Sequence, residues 1–190
     1  MSNTSTITTV HLEDTPHFRP VLNAESGVTA FIEQACQNAH HCLERAFVQV
    51  LDNEAIAADY ARLHLNLLNI RQAEQLLRRA VTLATGETAN QALLDKIAAL
   101  HNADSDNLPG LTREELLPEL TNEDSATLEM HIHNGGDDSH SLQALARHYI
   151  HAIYQKRIEY RDSLPESDYL GRGQLCLYTG ALHEGIALLE

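Results

Sequence analysis

Aromatic side chains are scarce in this chain of 190 residues, which has no Trp and only three Phe. Strands favour aromatic and β-branched residues, whereas Leu and Ala, which dominate the apolar share here, are the strongest apolar helix formers. The apolar content of 43% is ordinary for a globular protein. The composition therefore predicts an all-α fold.

Cysteine is also scarce, and its three copies are an odd number. Cys36 and Cys42 lie six residues apart, which on a helix places them on different faces and prevents a bond between them. The third, Cys176, is far away in the sequence. We therefore expect reduced thiols in a reducing, cytoplasmic compartment.

Basic residues are outnumbered, with 13 Lys and Arg against 27 Asp and Glu, and the formal charge is −14. A surface of this sign repels phosphate backbones and anionic lipids, so nucleic-acid and membrane-surface binding are disfavoured. The charge instead suits a basic protein or peptide partner, or it simply keeps the chain soluble. Because the chain has 12 His, its net charge should depend on pH between about 7 and 5.5.

Long apolar runs are absent, since no stretch approaches the roughly 18 residues that a membrane-spanning helix needs. The first twenty residues contain no basic segment followed by an apolar one, so we expect no secretory signal. Nucleophile elbows, phosphate-binding loops, zinc-protease motifs, dinucleotide fingerprints and Cys-x-x-Cys pairs are missing as well. These absences favour a soluble protein that is not an enzyme and that needs no cofactor.

The periodicity of the chain predicts a flexible arm over residues 1–23 and a single all-helical domain over residues 24–190. Apolar residues from Val28 to Leu51 follow a helical stripe, which is either one long helix or two helices joined near residues 34–38. Asn53 is the expected N-cap of the next helix, which runs to about residue 68. Two further helices are expected over residues 71–85, stopping at Gly86, and over residues 87–101.

The second half of the chain begins with a loop over residues 102–111. Thr112 and Glu115 form a capping box for a short helix that Pro118 breaks. The segment TLEMHIH is ambiguous between helix and strand, and a second loop follows it. A long helix is expected over residues 142–161, and a final pair of helices after Glu166.

Small and large apolar residues recur at a fixed spacing in the first half of the chain. At one constant interval Ala39 matches Ala73, Leu43 matches Leu77, Arg45 matches Arg79 and Ala46 matches Ala80. Near the C-terminus Gly173 lies twelve residues before Gly185, as Ala61 lies twelve before Ala73, and Leu189 takes the place of Leu77. Small residues at such positions let the two helices of a hairpin approach closely.

This pattern resembles the tetratricopeptide repeat, whose period of about 34 residues equals the interval between Ala39 and Ala73. The resemblance covers residues 20–87 and 166–190 and implies an antiparallel helix-hairpin array, a solenoid, with an irregular helical middle. The interval between Ala73 and Gly185 is not a whole number of periods, so either an insertion of ten residues or irregular packing separates the copies. The resemblance also implies a scaffold that binds a protein or peptide, as the targeting module of a larger enzyme or as a secretion-type chaperone.

A repeat that starts at Glu166 needs about 34 residues, and the chain supplies 25 of them. Ile186, Leu188 and Leu189 would then lack the next helix to cover them. We therefore expect either that the chain is the N-terminal part of a longer protein or that it self-associates through its C-terminal helix.

Candidate binding residues follow from the register of the repeat, because polar positions on the first helix of a hairpin line the groove in this family. Arg62 and Asn66 take such positions, and His64 either packs inward beside them or borders the groove. Arg62 is expected either to hold a carboxylate of a bound peptide or to be a solvent-exposed structural arginine.

The alternative is a helical metal-dependent enzyme or metal-binding protein. His131, His133 and His140 surround an acidic glycine turn, and imidazoles are good ligands for divalent metals. If the His-x-His pair is helical, however, its two rings diverge by about 200°.

Overall fold

The computed structural model describes residues 26–86, 89–101, 103 and 108–190. Within these residues the chain forms nine α-helices and no strand, which confirms the all-α prediction. The predicted arm over residues 1–23 lies outside the described residues. The helices are α1 (Ser26–Gln49), α2 (Glu54–Asn66), α3 (Ile70–Leu83), α4 (Ala89–Leu100), α5 (Arg113–Leu116), α6 (Asn122–Asn134), α7 (Ser139–Ser163), α8 (Tyr169–Tyr178) and α9 (Leu182–Leu189).

Capping side chains fix several helix starts where the sequence predicts them. The side chain of Asn53 accepts a hydrogen bond from the amide of Ile56 and begins α2. Thr112 and Glu115 form a complete capping box at α5. The end of α3 differs from the prediction, because Ala84 is already extended and the helix stops before Gly86.

Two segments left open by the sequence are helical. The stripe from residue 28 to 51 forms one continuous helix, α1, with no turn near residues 34–38. The first copy of the repeating pattern is therefore not a hairpin. TLEMHIH belongs to α6, which ends at Gly135 in the left-handed conformation with φ 66°.

α1 and α7 form the central pair of the molecule. α2 packs on both, α3 packs on α2 and α4 packs on α3, while α8 packs on α7 and α9 packs on α8. The short helix α5 contacts α2, and α6 pairs with α7. α2 is therefore enclosed by α1, α3, α5 and α7, and several of its Ala side chains are fully or almost fully buried, namely Ala57, Ala58 and Ala61.

The hairpins α2–α3 and α8–α9 have turns with the same hydrogen-bond pattern. In the first, the amide of Asn69 donates to the carbonyl of His64 at 2.8 Å, and in the second the amide of Ala181 donates to the carbonyl of Cys176 at 2.9 Å. The interval between these two bonds equals the interval between Ala73 and Gly185. The spacing found in the sequence is therefore the spacing between two turns of the same kind. A solenoid of tetratricopeptide type remains an expectation.

The residue at the apex of each turn has a positive φ, which is 56° at Leu68 and 88° at Gly180. At Gly180 a Cβ atom would also collide with the backbone carbonyl of Leu111, whose amide donates to the Gly180 carbonyl at 2.9 Å. Glycine is thus required at this apex, where the α8–α9 turn pairs with the segment before α5.

Gly173 and Gly185 bring α8 and α9 into backbone contact. A Cβ added at Gly185 would lie 2.8 Å from the carbonyl oxygen of Gly173 and 2.7 Å from Leu177. A Cβ added at Gly173 would lie 3.1 Å from the Gly185 oxygen. The two small residues that the sequence pattern aligned are therefore the contact point of this hairpin.

None of the described helices combines the length and the apolar character that crossing a bilayer requires. Cys36, Cys42 and Cys176 are all buried free thiols. Burial raises the pKa of Cys36 to about 11, so this thiol stays protonated at neutral pH.

We expect Gly185→Ala to lower the free energy of unfolding by about 1–3 kcal/mol, because the new methyl group meets the Gly173 backbone, which cannot move aside without shifting α8. The measurement is urea denaturation followed by circular dichroism. Gly27→Ala in α1 is the control, since a Cβ there has nothing within 4 Å and stability should stay equal or rise slightly. Equal effects of the two substitutions would contradict the close packing of α8 and α9.

Candidate binding cleft beside helix α2

A cleft of about 670 Å³ opens beside the first half of α2. The α1–α2 connection and α2 form one side, while the start of α4, the α5–α6 connection and α7 complete it. The lining residues are Asp52, Asn53, Glu54, Ala55, Ala58, Asp59, Arg62, Ala89, Asn90, Glu119 and Arg147. Most of them are charged or amide side chains, so the cleft is suited to polar ligands.

A buried ion network forms one wall of the cleft. Arg147 on α7 donates through Nε to Asp59 on α2 at 2.7 Å, and through Nη1 to both carboxylate oxygens of Asp124 on α6 at 3.0 and 3.1 Å. Gln143, one turn earlier on α7, donates to the same Asp59 oxygen at 2.6 Å. One guanidinium therefore joins three helices.

The charged groups of this network shift each other's pKa values. Burial alone would lower the pKa of Arg147, but the carboxylates of Asp59 and Asp124 raise it above its ordinary value. Burial likewise opposes ionisation of Asp124, yet hydrogen bonds from Thr121 and the charge of Arg147 lower its pKa. At Asp59 burial raises the pKa, while the charge of Arg147 and the hydrogen bonds from Gln143 and Arg147 oppose this rise. Gln143 and Arg147 both donate to the same Asp59 oxygen, so the hydrogen-bond geometry fits a carboxylate paired with the Arg147 guanidinium.

Arg62 is the second guanidinium that lines the cleft, and its contacts differ from those of Arg147. It is half-buried, and within the described residues it forms no ion pair. Its Nη1 donates to the Ala58 carbonyl at 3.2 Å and to the Asn90 side chain at 3.3 Å, while its buried Nε has no hydrogen-bond partner in the part of the chain that the structure describes. Burial lowers the pKa of Arg62, with Asp59 opposing, but a guanidinium remains charged at any ordinary pH.

The outer part of the cleft is acidic. Asp52 and Glu119 are exposed, and Glu54 is half-buried and accepts a hydrogen bond from Asn90 at 3.2 Å. Asp52 makes a long 3.4 Å contact with Arg79. We call Asp52, Glu54 and Glu119 the acidic rim. Within the described residues, the cleft therefore combines a guanidinium without an ion pair inside with exposed carboxylates outside.

Asn66, the second predicted binding residue, is fully buried and does not line the cleft. Its amide donates to the carbonyls of Arg62 at 2.9 Å and Leu116 at 2.8 Å. Its own backbone carbonyl accepts from the buried Arg157, whose guanidinium stacks on Tyr178 at 4.3 Å from the ring centroid. Asn66 thus joins α2, α5 and α7. It does not line a groove, although the register of the repeat predicts this, because α5 covers the position.

His64, the third predicted residue, packs inward, which is one of the two expected placements. It is buried between α1 and α2, where its ring lies 5.0 Å from that of Tyr60 and 6.1 Å from that of His40, centroid to centroid. It is not part of the cleft lining. The structure therefore places only Arg62 of the three predicted residues in the cleft.

The three candidate metal ligands do not converge. His133 is exposed and bonds the Glu129 carbonyl at 2.7 Å, and His140 contacts Thr127 at 3.4 Å. In the part of the chain that the structure describes, no three His, Cys, Asp or Glu side chains are placed to share a metal ion. His131 and His133 are two residues apart on helical α6, so their rings diverge. If protein purified without chelator contained one metal ion per chain, these side chains would have to rearrange to bind it.

Sequence reasoning did not identify Asp59, Arg147 or Asn90. Asp59 and Arg147 are 88 residues apart, and no local spacing links them. One signal was available: Asp59 is an isolated acid among apolar neighbours, a pattern that indicates a buried charge with a distant partner.

We expect Arg147→Ala to lower the free energy of unfolding by about 3–5 kcal/mol, because it leaves two buried carboxylates without their cation. Arg45→Ala is the matched control, since Arg45 forms an exposed pair with Asp137 and should cost at most about 1 kcal/mol. Urea denaturation at pH 7 measures both. A loss for Arg147→Ala no larger than that of the control would show that the network is not ionised and buried as described.

Comparisons of the chain with protein-family models, with curated protein sequences and with solved structures find no match.

Proposed function

We propose that the protein is a protein–protein interaction module that holds a segment of a partner protein in the cleft beside α2. The observation that carries the proposal is the state of Arg62, a half-buried guanidinium whose Nε has no hydrogen-bond partner and which donates to no carboxylate in the described part of the chain. In this proposal a carboxylate of the partner binds Arg62.

The energetics of a guanidinium favour this ligand. An arginine in a partly desolvated site has lost hydration that its present contacts, two bonds from Nη1 at 3.2 and 3.3 Å, replace only in part. A carboxylate accepts two parallel, charge-assisted hydrogen bonds from the guanidinium fork. Phosphate groups match the fork as well, but polyanions are repelled by the acidic rim and by a net charge of −14.

The acidic rim favours basic residues next to the anchoring carboxylate. Asp52 and Glu119 are exposed and could pair with Lys or Arg side chains of the partner. Surface pairs of this kind contribute little affinity each, but they accelerate association and exclude acidic competitors. The proposed partner segment is therefore basic overall and supplies a single carboxylate to Arg62.

The wider setting follows from the resemblance to tetratricopeptide repeats and is equally a proposal. A targeting module of a larger enzyme and a secretion-type chaperone would each use the cleft in the same way, by holding a partner segment without chemical change. Self-association through α9, where Leu189 is exposed, would leave the cleft free for that partner.

We expect Arg62→Ala to weaken binding of a purified partner at least tenfold, because a charge-assisted hydrogen-bonded pair contributes about 1.5–3 kcal/mol. Partners are first captured from cell extract on the immobilised full chain and identified by mass spectrometry. Isothermal titration calorimetry with each purified partner then compares the wild type with the variant.

Arg78→Ala is the matched control for this comparison, since Arg78 lies on the exposed side of α3 in a pair with Glu74 and should leave binding unchanged. Arg62→Lys should be intermediate, because a lysine keeps the charge but not the fork. Equal affinities of wild type and Arg62→Ala, or no specific partner at all, would contradict the proposed function.

A further inference from the structure

A cluster of three polar rings lies between α1 and α2, apart from the cleft. His40 on α1 and Tyr60 on α2 are joined by a hydrogen bond of 3.0 Å between Nε2 and the hydroxyl group. His64, one turn after Tyr60, is 7% exposed, and its Nδ1 is buried without a hydrogen-bond partner in the described part of the chain. The three rings lie within 6.1 Å of each other, centroid to centroid.

The neutral forms of the two imidazoles suit this environment. A protonated His64 would carry a buried N–H at Nδ1 with no acceptor, next to a second imidazole that could take up a proton as well. Burial lowers the pKa of His64 to about 4, and the proximity of His40 lowers it too. Burial also lowers the pKa of His40, with Glu44 opposing this change.

The surrounding charges do little to compensate added protons. On α1 the neighbouring titratable groups are Glu44 and His41, and only Glu44 is an acid. From α3, Arg79 stacks on Phe47, whose ring contacts Tyr60.

Among the described residues, the other two helices that pack on α2 bring no acid toward the two imidazoles. From α7, Arg147 reaches α2 but is already paired with Asp59 and Asp124, and Arg157 donates to the Asn66 carbonyl. α5 meets α2 through the Leu116 carbonyl, which accepts from Asn66, and through the buried apolar side chain of Leu116. Protonation of both imidazoles would therefore add two positive charges where Glu44 is the neighbouring acid and where Asp59 is already paired with Arg147.

The position of the cluster links it to the shape of the cleft. The connection between α1 and α2 supplies Asp52 of the acidic rim and Asn53, the side chain of which caps α2. The connection is also tied to α3, where Arg79 donates to the Leu51 carbonyl at 2.7 and 3.2 Å. If α1 moves away from α2, the connection loses its attachment on the α1 side, and Asp52 moves relative to Glu119 on the opposite side of the cleft.

We propose that His40, Tyr60 and His64 form an acid-sensitive latch: the neutral pair holds α1 against α2, and protonation of the pair releases this contact and opens the rim of the cleft. The inference does not depend on what the cleft binds, because the release is a property of the free chain.

The direction with pH follows from linkage. A histidine with a lower pKa in the closed form than in the open form stabilises the closed form fully above about pH 6.5, and this contribution is lost as the pH falls from 6.5 to 4. With these two values for His64, the equilibrium constant for opening increases roughly 20-fold between pH 7 and pH 5. Below pH 4 the contribution changes no further.

Hydrogen–deuterium exchange of the full chain, read by mass spectrometry over residues 40–58 and corrected for intrinsic exchange rates, tests the latch. In the wild type the opening constant of these peptides should rise about 20-fold from pH 7 to pH 5. His64→Gln, which cannot titrate, should show much less of this rise. His41→Gln, an exposed neighbour on α1, should behave as the wild type.

His151→Gln is a second control, because His151 is another histidine with a pKa lowered by burial, but it bonds the Pro118 carbonyl and faces another region. If His64→Gln does not fold, His40→Gln replaces it, and the His64 imidazole of the wild type is titrated by NMR. A constant opening equilibrium between pH 7 and 5, the same pH response in His64→Gln and His41→Gln, or a His64 pKa near 6.5 in the folded chain would each overturn the latch.

Discussion

The guanidinium of Arg147, held between Asp59 and Asp124, is the interaction on which the arrangement around α2 depends. Taking these charges out of water is costly, and the cost is offset only when the distances and hydrogen bonds are close to ideal. The 2.7–3.1 Å contacts and the additional donor from Gln143 meet this condition. Because the three charges come from α2, α6 and α7, the network fixes the mutual position of segments that are far apart in the sequence.

Small side chains make this arrangement sterically possible. The buried alanines of α2 let α1, α3 and α7 approach it, and Gly173 and Gly185 do the same for α8 and α9. Close approach in turn leaves little room for water beside α2, so polar groups there must find partners within the protein. Arg62 is conspicuous because it finds only weak partners, and it lies in a cleft that a partner could enter.

The sequence predicted features that depend on local physics. The N-cap at Asn53, the capping box of Thr112 with Glu115 and the hairpin spacing of Gly173 and Gly185 are decided within a few turns of chain, and all three are present. The continuity of α1 was open, because an apolar stripe does not distinguish one helix from two joined by a tight turn.

The candidate site was only partly predictable, since long-range packing decides it. Arg62 was identified from its register, but Asn66 is covered by α5, which approaches it from 50 residues further along the chain. The contact of Asp59 with Arg147 likewise joins residues that no periodic pattern relates. The diverging rings of His131 and His133 follow from a helical assignment that the sequence alone left ambiguous.

The rotation of the Arg147 guanidinium about its Nε–Cζ bond, measured by nitrogen-15 exchange NMR on the full chain at pH 7, tests the central network most directly. Carboxylates hold both Nε and Nη1, so rotation should be slow and the two Nη nitrogens should give separate signals. Arg45 in its exposed pair should give an averaged signal. An averaged signal from Arg147 as well would show that no ionised bridge ties α2, α6 and α7 together.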